Sequence, residues 1–470
     1  MPINSFLYPG AKFIPGYEVA NSLRFDGSND YMHKTPGGAG NRRTLTISAW
    51  VKRSDPGNHR CIMAAGSGGA RDMLLFESSD KLQFSRYDGS YVYQLNTNAL
   101  YRDPSAWLHI VGQIDTTQST ESDRVKLYVN GVQITDLAVA NYPSQNFDTD
   151  WNSTQQIRVG VDTDDNAKYY GYMTEVVMVD GSALTPTSFG EFDEDSPTIW
   201  KPKNVSALTF GTNGFYLDFE DSSNLGNDAS GGTDFTEVSL AATDQSTDTC
   251  TNNFATMNPI APANISSASD GNLKILQSSS GGSVISTFGF SSGKWYWEVK
   301  LDSQVNYTQL AGVIKESKME SALLTSFNVG ANDGGWGYFL QGNTDNGKAF
   351  HNNSASSVYT TMSAGNILSI AVDSDNGKIY FAVNGTYVNS GDPANGTGAV
   401  YTNLPTGENL FPAITNYVGD GSTATLLMNF GSPSFSISSG NSDANGYGNF
   451  EYSVPSGFYA LNSKNLAEFG

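Results

Sequence analysis

Carboxylates repeated along one strand are the groups with which a β-rich protein could hydrolyse sugars, since an acid and a second carboxylate must flank the same glycosidic bond. One known group of β-sandwich glycosidases spaces them as Glu-x-Asp-x-Glu or Glu-x-Asp-x-x-Glu. The densest acidic run here is Glu191-Phe-Asp-Glu-Asp-Ser196, which lacks the second glutamate at either spacing. We interpret this run as a solvated acidic linker, and a polysaccharide depolymerase as a distant alternative.

No other catalytic pattern is present in the sequence. There is no Gly-x-Ser-x-Gly turn, no phosphate-binding loop, no cysteine pair at zinc spacing and no Gly-rich dinucleotide turn after a strand. The four histidines also lack the spacing of metal ligands: they are His33, His59, His109 and His351. His109 alternates with Leu108 and Ile110, so we predict a hydrogen-bonded or solvent-facing histidine. These patterns predict a protein that is not an enzyme.

A calcium ion is the one cofactor that the sequence suggests. Asp162-Thr-Asp-Asp-Asn166 brings Asp162, Asp164, Asp165 and Asn166 into one loop after a predicted strand. Carboxylate and amide oxygens are the ligands that Ca²⁺ prefers. Runs of Asp and Asn are also ordinary turn chemistry, so a turn without metal is the alternative.

Two aromatic loops have the composition of a sugar-binding surface, which needs exposed rings beside hydrogen-bonding groups. One is Tyr87-Asp-Gly-Ser-Tyr-Val-Tyr93, and the other is Asp333-Gly-Gly-Trp-Gly-Tyr338. We predict glycan contacts from the rings of these loops: Tyr87, Tyr91, Tyr93, Trp336 and Tyr338. For Trp336 and Tyr338 the alternative is packing in a core or against a sheet.

A repeated unit shows which elements must position these loops. Val125-Lys-Leu-Tyr-Val-Asn-Gly-Val-Gln-Ile134 is echoed by Gly377-Lys-Ile-Tyr-Phe-Ala-Val-Asn-Gly-Thr-Tyr-Val388. Asn-Gly between β-rich runs is a strong hairpin signal, because both residues tolerate the positive φ of a tight turn. An apolar strand that ends in Asp precedes each hairpin. One such unit in the middle of each half predicts two all-β domains of related build.

Length and composition agree with two β domains. A chain of 470 residues is too long for one ordinary core. Its 49 glycines, 24 tyrosines and 25 phenylalanines fit short strands and tight turns better than long amphipathic helices. The net charge of −21 argues against nucleic acid and anionic lipid as partners. We therefore predict no nucleic-acid and no membrane partner.

The N-terminal residues and the cysteines bear on the compartment. Two cysteines, Cys61 and Cys250, do not make a disulfide framework. The N-terminus lacks the basic and apolar regions of a signal peptide, and no apolar run approaches the roughly 18 residues of a membrane span. We expect synthesis in a cytoplasm without standard export. Residues 1–20 predict an arm that packs on its own domain or docks on another subunit through its aromatic residues: Phe6, Tyr8, Phe13 and Tyr17.

The first half carries ordered blocks of a known type. Phe25-Asp-Gly-Ser-Asn-Asp-Tyr31, Leu45-Thr-Ile-Ser-Ala-Trp-Val51, Leu127-Tyr-Val-Asn-Gly131 and Tyr170-Gly-Tyr-Met-Thr-Glu-Val176 follow one another as in laminin-G-like domains of the concanavalin A-like lectin/glucanase superfamily. The resemblance covers roughly 22–195. It implies a jelly roll of two antiparallel sheets.

The second half resembles a SPRY domain over roughly 258–435. The blocks are Ser292-Gly-Lys-Trp-Tyr-Trp-Glu-Val299, Gly335-Trp-Gly-Tyr338, Ile379-Tyr-Phe-Ala-Val-Asn-Gly385 and Asn429-Phe-Gly431. The predicted fold class is all-β, with two concanavalin A-like antiparallel β-sandwiches joined by an irregular connector. The predicted division is an N-terminal arm at 1–20, a laminin-G-like sandwich at 21–195, a connector at 196–257, a SPRY-like sandwich at 258–435 and a C-terminal tail at 436–470.

Three further runs look like virion proteins of marine tailed bacteriophages, in which both modules are fused. They are Asn41–Ser54, Thr249–Pro259 and Tyr452–Leu466. The resemblance implies a non-catalytic virion component, as an appendage, fibre or capsid decoration, that binds host-surface glycan or neighbouring virion subunits and forms a homo-oligomer. The absence of shaft repeats favours a compact head or tail accessory over a long fibre. The alternative is a bacterial surface or secreted carbohydrate-binding lectin.

Overall fold

The computed structural model describes residues 16–260, 266–278, 281–303, 307–319, 329–418 and 422–470. These residues form β-strands, short 3₁₀ turns and a seven-residue helix near the C-terminus. The expected all-β class of two antiparallel sandwiches is confirmed. Within the described ranges, no helix is long and apolar enough to span a membrane.

The strands of the first half are β1 (Ser22–Asp26), β2 (Tyr31–Lys34), β3 (Thr44–Arg53), β4 (Arg60–Ser67), β5 (Ala70–Phe76), β6 (Lys81–Asp88), β7 (Tyr91–Leu100), β8 (Trp107–Asp115), β9 (Val125–Val129), β10 (Val132–Gln133), β11 (Leu137–Asn141), β12 (Gln156–Val159), β13 (Tyr170–Asp180), β14 (Gly190–Phe192), β15 (Trp200–Pro202), β16 (Phe215–Leu217), β17 (Thr236–Val238) and β18 (Gln245–Ser246). Those of the second half are β19 (Ser267–Ser269), β20 (Lys274–Gln277), β21 (Gly282–Ile285), β22 (Lys294–Ser303), β23 (Gln309–Lys315), β24 (Gly335–Gln341), β25 (Lys348–His351), β26 (Ser354–Val358), β27 (Ile367–Asp373), β28 (Lys378–Val383), β29 (Thr386–Tyr387), β30 (Leu410–Asn416), β31 (Ala424–Asn429) and β32 (Tyr459–Ala460), followed by helix α1 (Ser463–Phe469). Single 3₁₀ turns lie at Glu121–Asp123, Pro186–Ser188, Ala242–Asp244, Glu316–Lys318 and Val388–Ser390.

The first sandwich consists of two eight-stranded sheets. Its back sheet has the order β10-β9-β8-β3-β13-β1-β18, with β16 paired to β13, and its front sheet has the order β11-β7-β6-β5-β4-β12-β2-β17. Alternate side chains of both sheets meet in one core, among them Ile47 and Val51 from β3 and Leu74 and Phe76 from β5. A register shift of one residue would turn these side chains away from the core, so the apolar pattern fixes the pairing.

Strand β3 is buried on both faces, although its alternating sequence predicts a half-buried strand. The cause is a third layer, because the segment from Leu184 to Phe210 crosses the outer face of the back sheet and packs on Val111 and Val177. Polar groups on this face must find partners inside the protein.

The connector predicted at 196–257 is ordered and supplies strands to the first sandwich. β16 pairs with β13. β17 pairs with β2, and β18 pairs with β1. These strands are only two or three residues long, which is why turn residues dominate the sequence of this segment.

The second sandwich also has two sheets and an added layer. One sheet has the order β19-β20-β31-β22-β27-β28-β29, with β32 parallel to β22, and the other has the order β21-β30-β23-β24-β25-β26. Trp295 and Trp297 lie in the core between them. The C-terminal tail covers the outer face of the first of these sheets, where Phe450 and Phe458 pack near Tyr296. We call this face the tail-covered face.

Both predicted Asn-Gly hairpins are confirmed, as β9–β10 and β28–β29. Asn130 and Gly131 have φ of 48° and 79°, and Asn384 and Gly385 have φ of 48° and 76°. Each hairpin lies at the edge of its sheet, next to β8 or β27. The repeat is therefore the same three-stranded edge in each sandwich.

The two sandwiches meet on the end of the connector. Lys52 of β3 is buried, and its Nζ lies 2.7 Å from Asp248 Oδ2 and 2.7 Å from Asn253 Oδ1. The Tyr172 hydroxyl donates to the carbonyl of Gly271 in the second sandwich, at 3.0 Å. Because these polar groups are buried and paired, the junction is part of the folded structure and not a loose linker.

Candidate recognition site

Four side chains at one end of the front sheet form a surface that we call the tyrosine rim: Arg71, Tyr87, Tyr91 and Asp164. Tyr87 and Tyr91 face each other across the β6–β7 turn, with ring centroids 5.4 Å apart and an interplanar angle of 76°. Tyr91 is 43% exposed. The Arg71 guanidinium lies 5.8 Å from the Tyr87 ring centroid and forms an ion pair with Asp164. The rim thus combines exposed aromatic surface with charged hydrogen-bonding groups.

Local backbone geometry places these groups together. Tyr87 near the end of β6 pairs with Tyr91 at the start of β7, and Gly89 and Ser90 turn the chain between the two strands. Arg71 begins the neighbouring strand β5, directly after the β4–β5 turn. Asp164 reaches the rim from the loop that follows β12. Three separate loops therefore converge at one end of the front sheet, and loops held by a rigid scaffold commonly form binding sites.

The loop predicted to bind calcium is closed by its own contacts. Asp162 is buried, and its Oδ1 accepts the backbone N–H groups of Asp164 at 3.0 Å and Asn166 at 2.7 Å. Asp164 pairs with Arg71, and Asp165 pairs with Arg158 at 2.5 Å. Each of the three carboxylates therefore has a protein partner. In the described part of the chain, no three His, Cys, Asp or Glu side chains are grouped to hold a metal ion, and the calcium site remains a prediction.

Tyr93 is not part of the exposed surface, which corrects its assignment as a glycan contact. Its ring is fully buried and its hydroxyl donates to Asp72 Oδ1 at 2.8 Å. Arg86 joins Asp72 to Asp150, with distances of 3.0 Å and 2.6 Å. Burial raises the pKa of Asp72 to about 6, while Arg86 and the hydrogen bond from Tyr93 act in the opposite direction. Tyr93 is therefore a core residue of the first sandwich and does not contact solvent.

Trp336 and Tyr338 are core residues, so the prediction that they contact glycan is wrong and the core alternative holds. Both lie among the buried apolar residues of the second sandwich. The Tyr338 hydroxyl donates to the Thr360 carbonyl at 2.7 Å. Trp336 donates to Asn403 Oδ1 at 3.1 Å and stacks on His351 with centroids 4.8 Å apart. Glycines flanking Trp336 in sequence indicate close strand packing and not an exposed loop.

Of the predicted arm residues, Phe6, Tyr8 and Phe13 lie outside the described residues, and Tyr17 packs on its own domain. The Tyr17 hydroxyl lies 3.2 Å from both carboxylate oxygens of Glu175, which also accepts from Tyr216 at 2.8 Å. Glu175 sits at a bulge in β13 with φ of 51°. Burial raises its pKa to about 7 against the hydrogen bonds from Tyr216 and Tyr17. Tyr17 therefore anchors the start of the described chain to the back sheet.

The remaining sequence candidates have structural roles. Glu191 lies on the exposed strand β14 within reach of Lys201 and Lys203, at 3.8 Å and 3.7 Å, as a solvated acidic segment would. His109 is buried, with ring centroids 4.9 Å from Trp50 and 5.9 Å from Trp200. Trp200 donates to its Nδ1 at 3.0 Å, so the proton lies on Nε2, and burial lowers its pKa to about 3.

Arg71 is a site residue that its local sequence does not reveal. Its position after Gly68 and Gly69 at the start of β5 shows only that it lies next to a turn. Contact with Tyr87 and Asp164 depends on the pairing of β5 with β6 and on the path of the loop after β12. Neither relation is local in sequence.

These observations define a protein of two β-sandwich domains with an exposed aromatic surface suited to binding. Family models agree: residues 26–188 match the concanavalin A-like lectin/glucanases superfamily, and residues 294–432 match the SPRY domain. The chain therefore contains a concanavalin A-like domain followed by a SPRY domain. Domains of these types are typically non-catalytic binding domains, which indicates a binding role for the protein.

Solved structures of low sequence identity are also similar. The SPRY domain of human HERC1 is 16% identical over 33% of this chain and 87% of its own, with a TM-score of 0.26. The TRIM65 PSpry domain is 18% identical over 37% of this chain and 91% of its own, with a TM-score of 0.28. A heptameric SAP-like pentraxin from Limulus polyphemus is 13% identical over 36% of this chain and 80% of its own, with a TM-score of 0.28. No curated protein matches the chain.

Proposed function

We propose that the protein is a non-catalytic recognition component of a tailed-phage virion that binds host-surface glycan through the tyrosine rim. The observation that carries the glycan part is the convergence of Tyr87, Tyr91 and the Arg71–Asp164 pair at one exposed edge. A pyranose presents C–H groups to an aromatic face and hydroxyls to charged acceptors and donors. The rim offers both kinds of partner within one small surface.

The virion part of the proposal is supported by the resemblance of three sequence runs to phage virion proteins. It is compatible with the strongly acidic chain, whose net charge of −21 favours solubility at high local concentration. In this setting the second sandwich or the arm binds neighbouring virion subunits, and several copies of the chain act together. Multivalent display strengthens weak binding at each rim without new contacts.

A glycan array tests the binding site directly. Tyr91→Ala removes the exposed ring. We expect the affinity for the glycans that the unaltered protein binds to fall about tenfold, because an aromatic contact contributes about 0.5–1.5 kcal/mol beyond area burial. Arg71→Ala should weaken binding by at least as much, since it also releases Asp164. Phe192→Ala is the matched control, because Phe192 is 42% exposed but lies on β14. Equal binding by Tyr91→Ala and the unaltered protein would refute the rim as the glycan site.

Mass spectrometry of purified phage particles tests the virion assignment. A virion component should be present in fixed stoichiometry with the major structural proteins after density-gradient purification. If the protein binds glycan as a free chain but is missing from such particles, the bacterial lectin takes its place. If it is present in particles and no glycan binds, subunit contact is its role.

A further inference from the structure

The tail-covered face of the second sandwich encloses a cavity that has no part in the contacts described so far. Its volume is about 280 Å³, and the rings of Tyr296, Tyr387 and Tyr452 line it together with Ser369. The floor is formed by β22, β27 and β28, and the tail residue Tyr452 closes one side. Gly385 of the second Asn-Gly hairpin lies at the mouth, where it is exposed.

One buried hydroxyl group in this cavity lacks a partner, and a second faces another hydroxyl of the cavity. Ser369 is 1% exposed, and its hydroxyl faces that of Tyr296. The Tyr387 hydroxyl is buried and unpaired in the described part of the chain. Leaving a buried hydroxyl unpaired costs about 1–3 kcal/mol, so such groups commonly face a bound molecule or water.

A third hydroxyl has a fixed orientation. Tyr296 donates to Glu298 Oε1 at 3.0 Å, and Glu298 also accepts from the backbone N–H of Tyr452 at 2.8 Å and from Asn429 Nδ2 at 3.1 Å. The proton of Tyr296 is committed to Glu298, so the Tyr296 oxygen can only accept, from Ser369 or from a bound molecule. The Tyr387 and Ser369 hydroxyls can each donate and accept. The cavity therefore offers both donors and acceptors beside aromatic rings.

This combination selects among small ligands. A quaternary ammonium ion would satisfy none of the hydroxyls, and a simple anion would place a negative charge close to buried Glu298. A sugar ring can donate to and accept from hydroxyls while its C–H groups contact tyrosine rings. A volume of about 280 Å³ lies just below the usual range of about 300–1,000 Å³ for ligand pockets, which suits one sugar unit.

We infer that this cavity is a second carbohydrate site, which takes a single neutral pyranose unit at the mouth formed by Gly385 and the C-terminal tail. The inference rests on the proposed recognition function but uses a different domain and different residues from the tyrosine rim. The two sites would let one chain contact a glycan at two places.

Saturation-transfer difference NMR on the full chain tests this site, with methyl α-glucoside, methyl α-galactoside, N-acetylglucosamine and tetramethylammonium as probes. We expect saturable binding of at least one sugar. Ala382 also lines the cavity, so Ala382→Leu places an isobutyl group in it and should abolish the signal. Tyr387→Phe removes only the unpaired hydroxyl and should weaken binding about tenfold, as loss of one hydrogen bond predicts. Because that hydroxyl has no partner among the described residues, the thermal unfolding of Tyr387→Phe should match the unaltered protein.

Tyr91→Ala separates the two sites. Sugar binding that survives Tyr91→Ala and disappears in Ala382→Leu supports the cavity, whatever the glycan array shows for the rim. Sugar binding that is unchanged in both Ala382→Leu and Tyr387→Phe overturns the inference and leaves the rim proposal standing. The absence of binding by every sugar, or binding of tetramethylammonium alone, also overturns it.

Discussion

Replacing Lys52 by methionine should destabilise the junction between the sandwiches more than any surface substitution. Lys52 Nζ pairs with Asp248 Oδ2 at 2.7 Å, and both side chains are 1% exposed. It also donates to Asn253 Oδ1 at 2.7 Å and to the carbonyl of Phe254 at 3.3 Å. Asp248 Oδ1 accepts from Trp107 Nε1 at 3.1 Å. The variant leaves the Asp248 carboxylate buried without its countercharge.

Breaking a buried pair by removing one partner costs roughly 3–5 kcal/mol. For a domain of 150–250 residues, 1 kcal/mol shifts Tm by about 2–4 °C, so we expect the transition of the first sandwich to fall by about 6–20 °C in differential scanning calorimetry. The connector near Asn253 should also become sensitive to limited proteolysis, because its contacts to Lys52 are lost.

Two comparisons make this result interpretable. Lys126→Met breaks the more exposed pair with Asp123, which is 2.9 Å long, and should change Tm by less than about 2 °C. The double variant Lys52→Met/Asp248→Leu should recover most of the lost stability, since apolar replacement of both partners is often neutral. A Tm for Lys52→Met within 2 °C of the unaltered protein would show that the junction does not depend on this pair.

Three further predictions concern Glu175, His109 and Gly131. Because the pKa of Glu175 rises to about 7 on folding, the stability contributed by its protonated form is lost as the pH increases from about 4.5 to 7. Glu175→Gln should therefore be about 1–3 kcal/mol more stable than the unaltered protein at pH 8 in urea unfolding. Near pH 5 the two proteins should differ little. With a pKa lowered to about 3, His109 should show a constant imidazole shift from pH 8 to pH 5 in NMR spectra. Gly131→Ala should cost about 2–4 kcal/mol in urea unfolding, because its φ is +79° and a Cβ would lie 2.4 Å from the Trp200 ring.

Matched variants decide each case. Glu191→Gln, at an exposed carboxylate, should leave the pH dependence of stability unchanged, and a similar result for Glu175→Gln would refute its raised pKa. An His109 shift that titrates near pH 6.5 would contradict the buried neutral ring. Gly89→Ala has open space and φ of +71°, so only the backbone cost of about 1–2 kcal/mol applies. Equal losses at Gly89 and Gly131 would rule out the contact with Trp200.

The hairpins could be predicted from the sequence because their signal is local. In each repeat the asparagine of Asn-Gly accepts the backbone N–H of a residue in the preceding strand: Asn130 Oδ1 from His109 at 2.8 Å, and Asn384 Oδ1 from Ile367 at 3.0 Å. The turn residue thus fixes both the hairpin and its position against the third strand. The turn itself is local, so Asn-Gly between two β-rich runs was sufficient to predict each hairpin, whereas the contact with the third strand was not predicted.

The exposed or buried state of aromatic residues was harder to predict. Tyr91 and Tyr93 are two residues apart, yet one is 43% exposed and the other is fully buried. A bulge between Arg86 and Tyr87 in the β6–β7 pairing changes which face each residue takes. The core positions of Trp336 and Tyr338 depend on the close approach of β23. A side chain at Gly312 of β23 would collide with the Trp336 carbonyl, so only glycine allows this approach. These facts follow from strand neighbours that are distant in sequence.

The C-terminal tail determines where the second domain must end if it is to be transferred to another protein. A fragment cut to residues 294–432, the extent of the SPRY match, would lose Phe450 and Phe458 from the tail-covered face. It would also lose the backbone N–H groups of Glu451 and Tyr452, which donate to the Glu298 carboxylate. Recombination between genes at such a boundary would yield a sandwich with bare apolar surface and an uncompensated buried acid. The unit that folds is accordingly longer than the part matched as a SPRY domain. Gene fusions that transfer this domain successfully should therefore include the C-terminal tail.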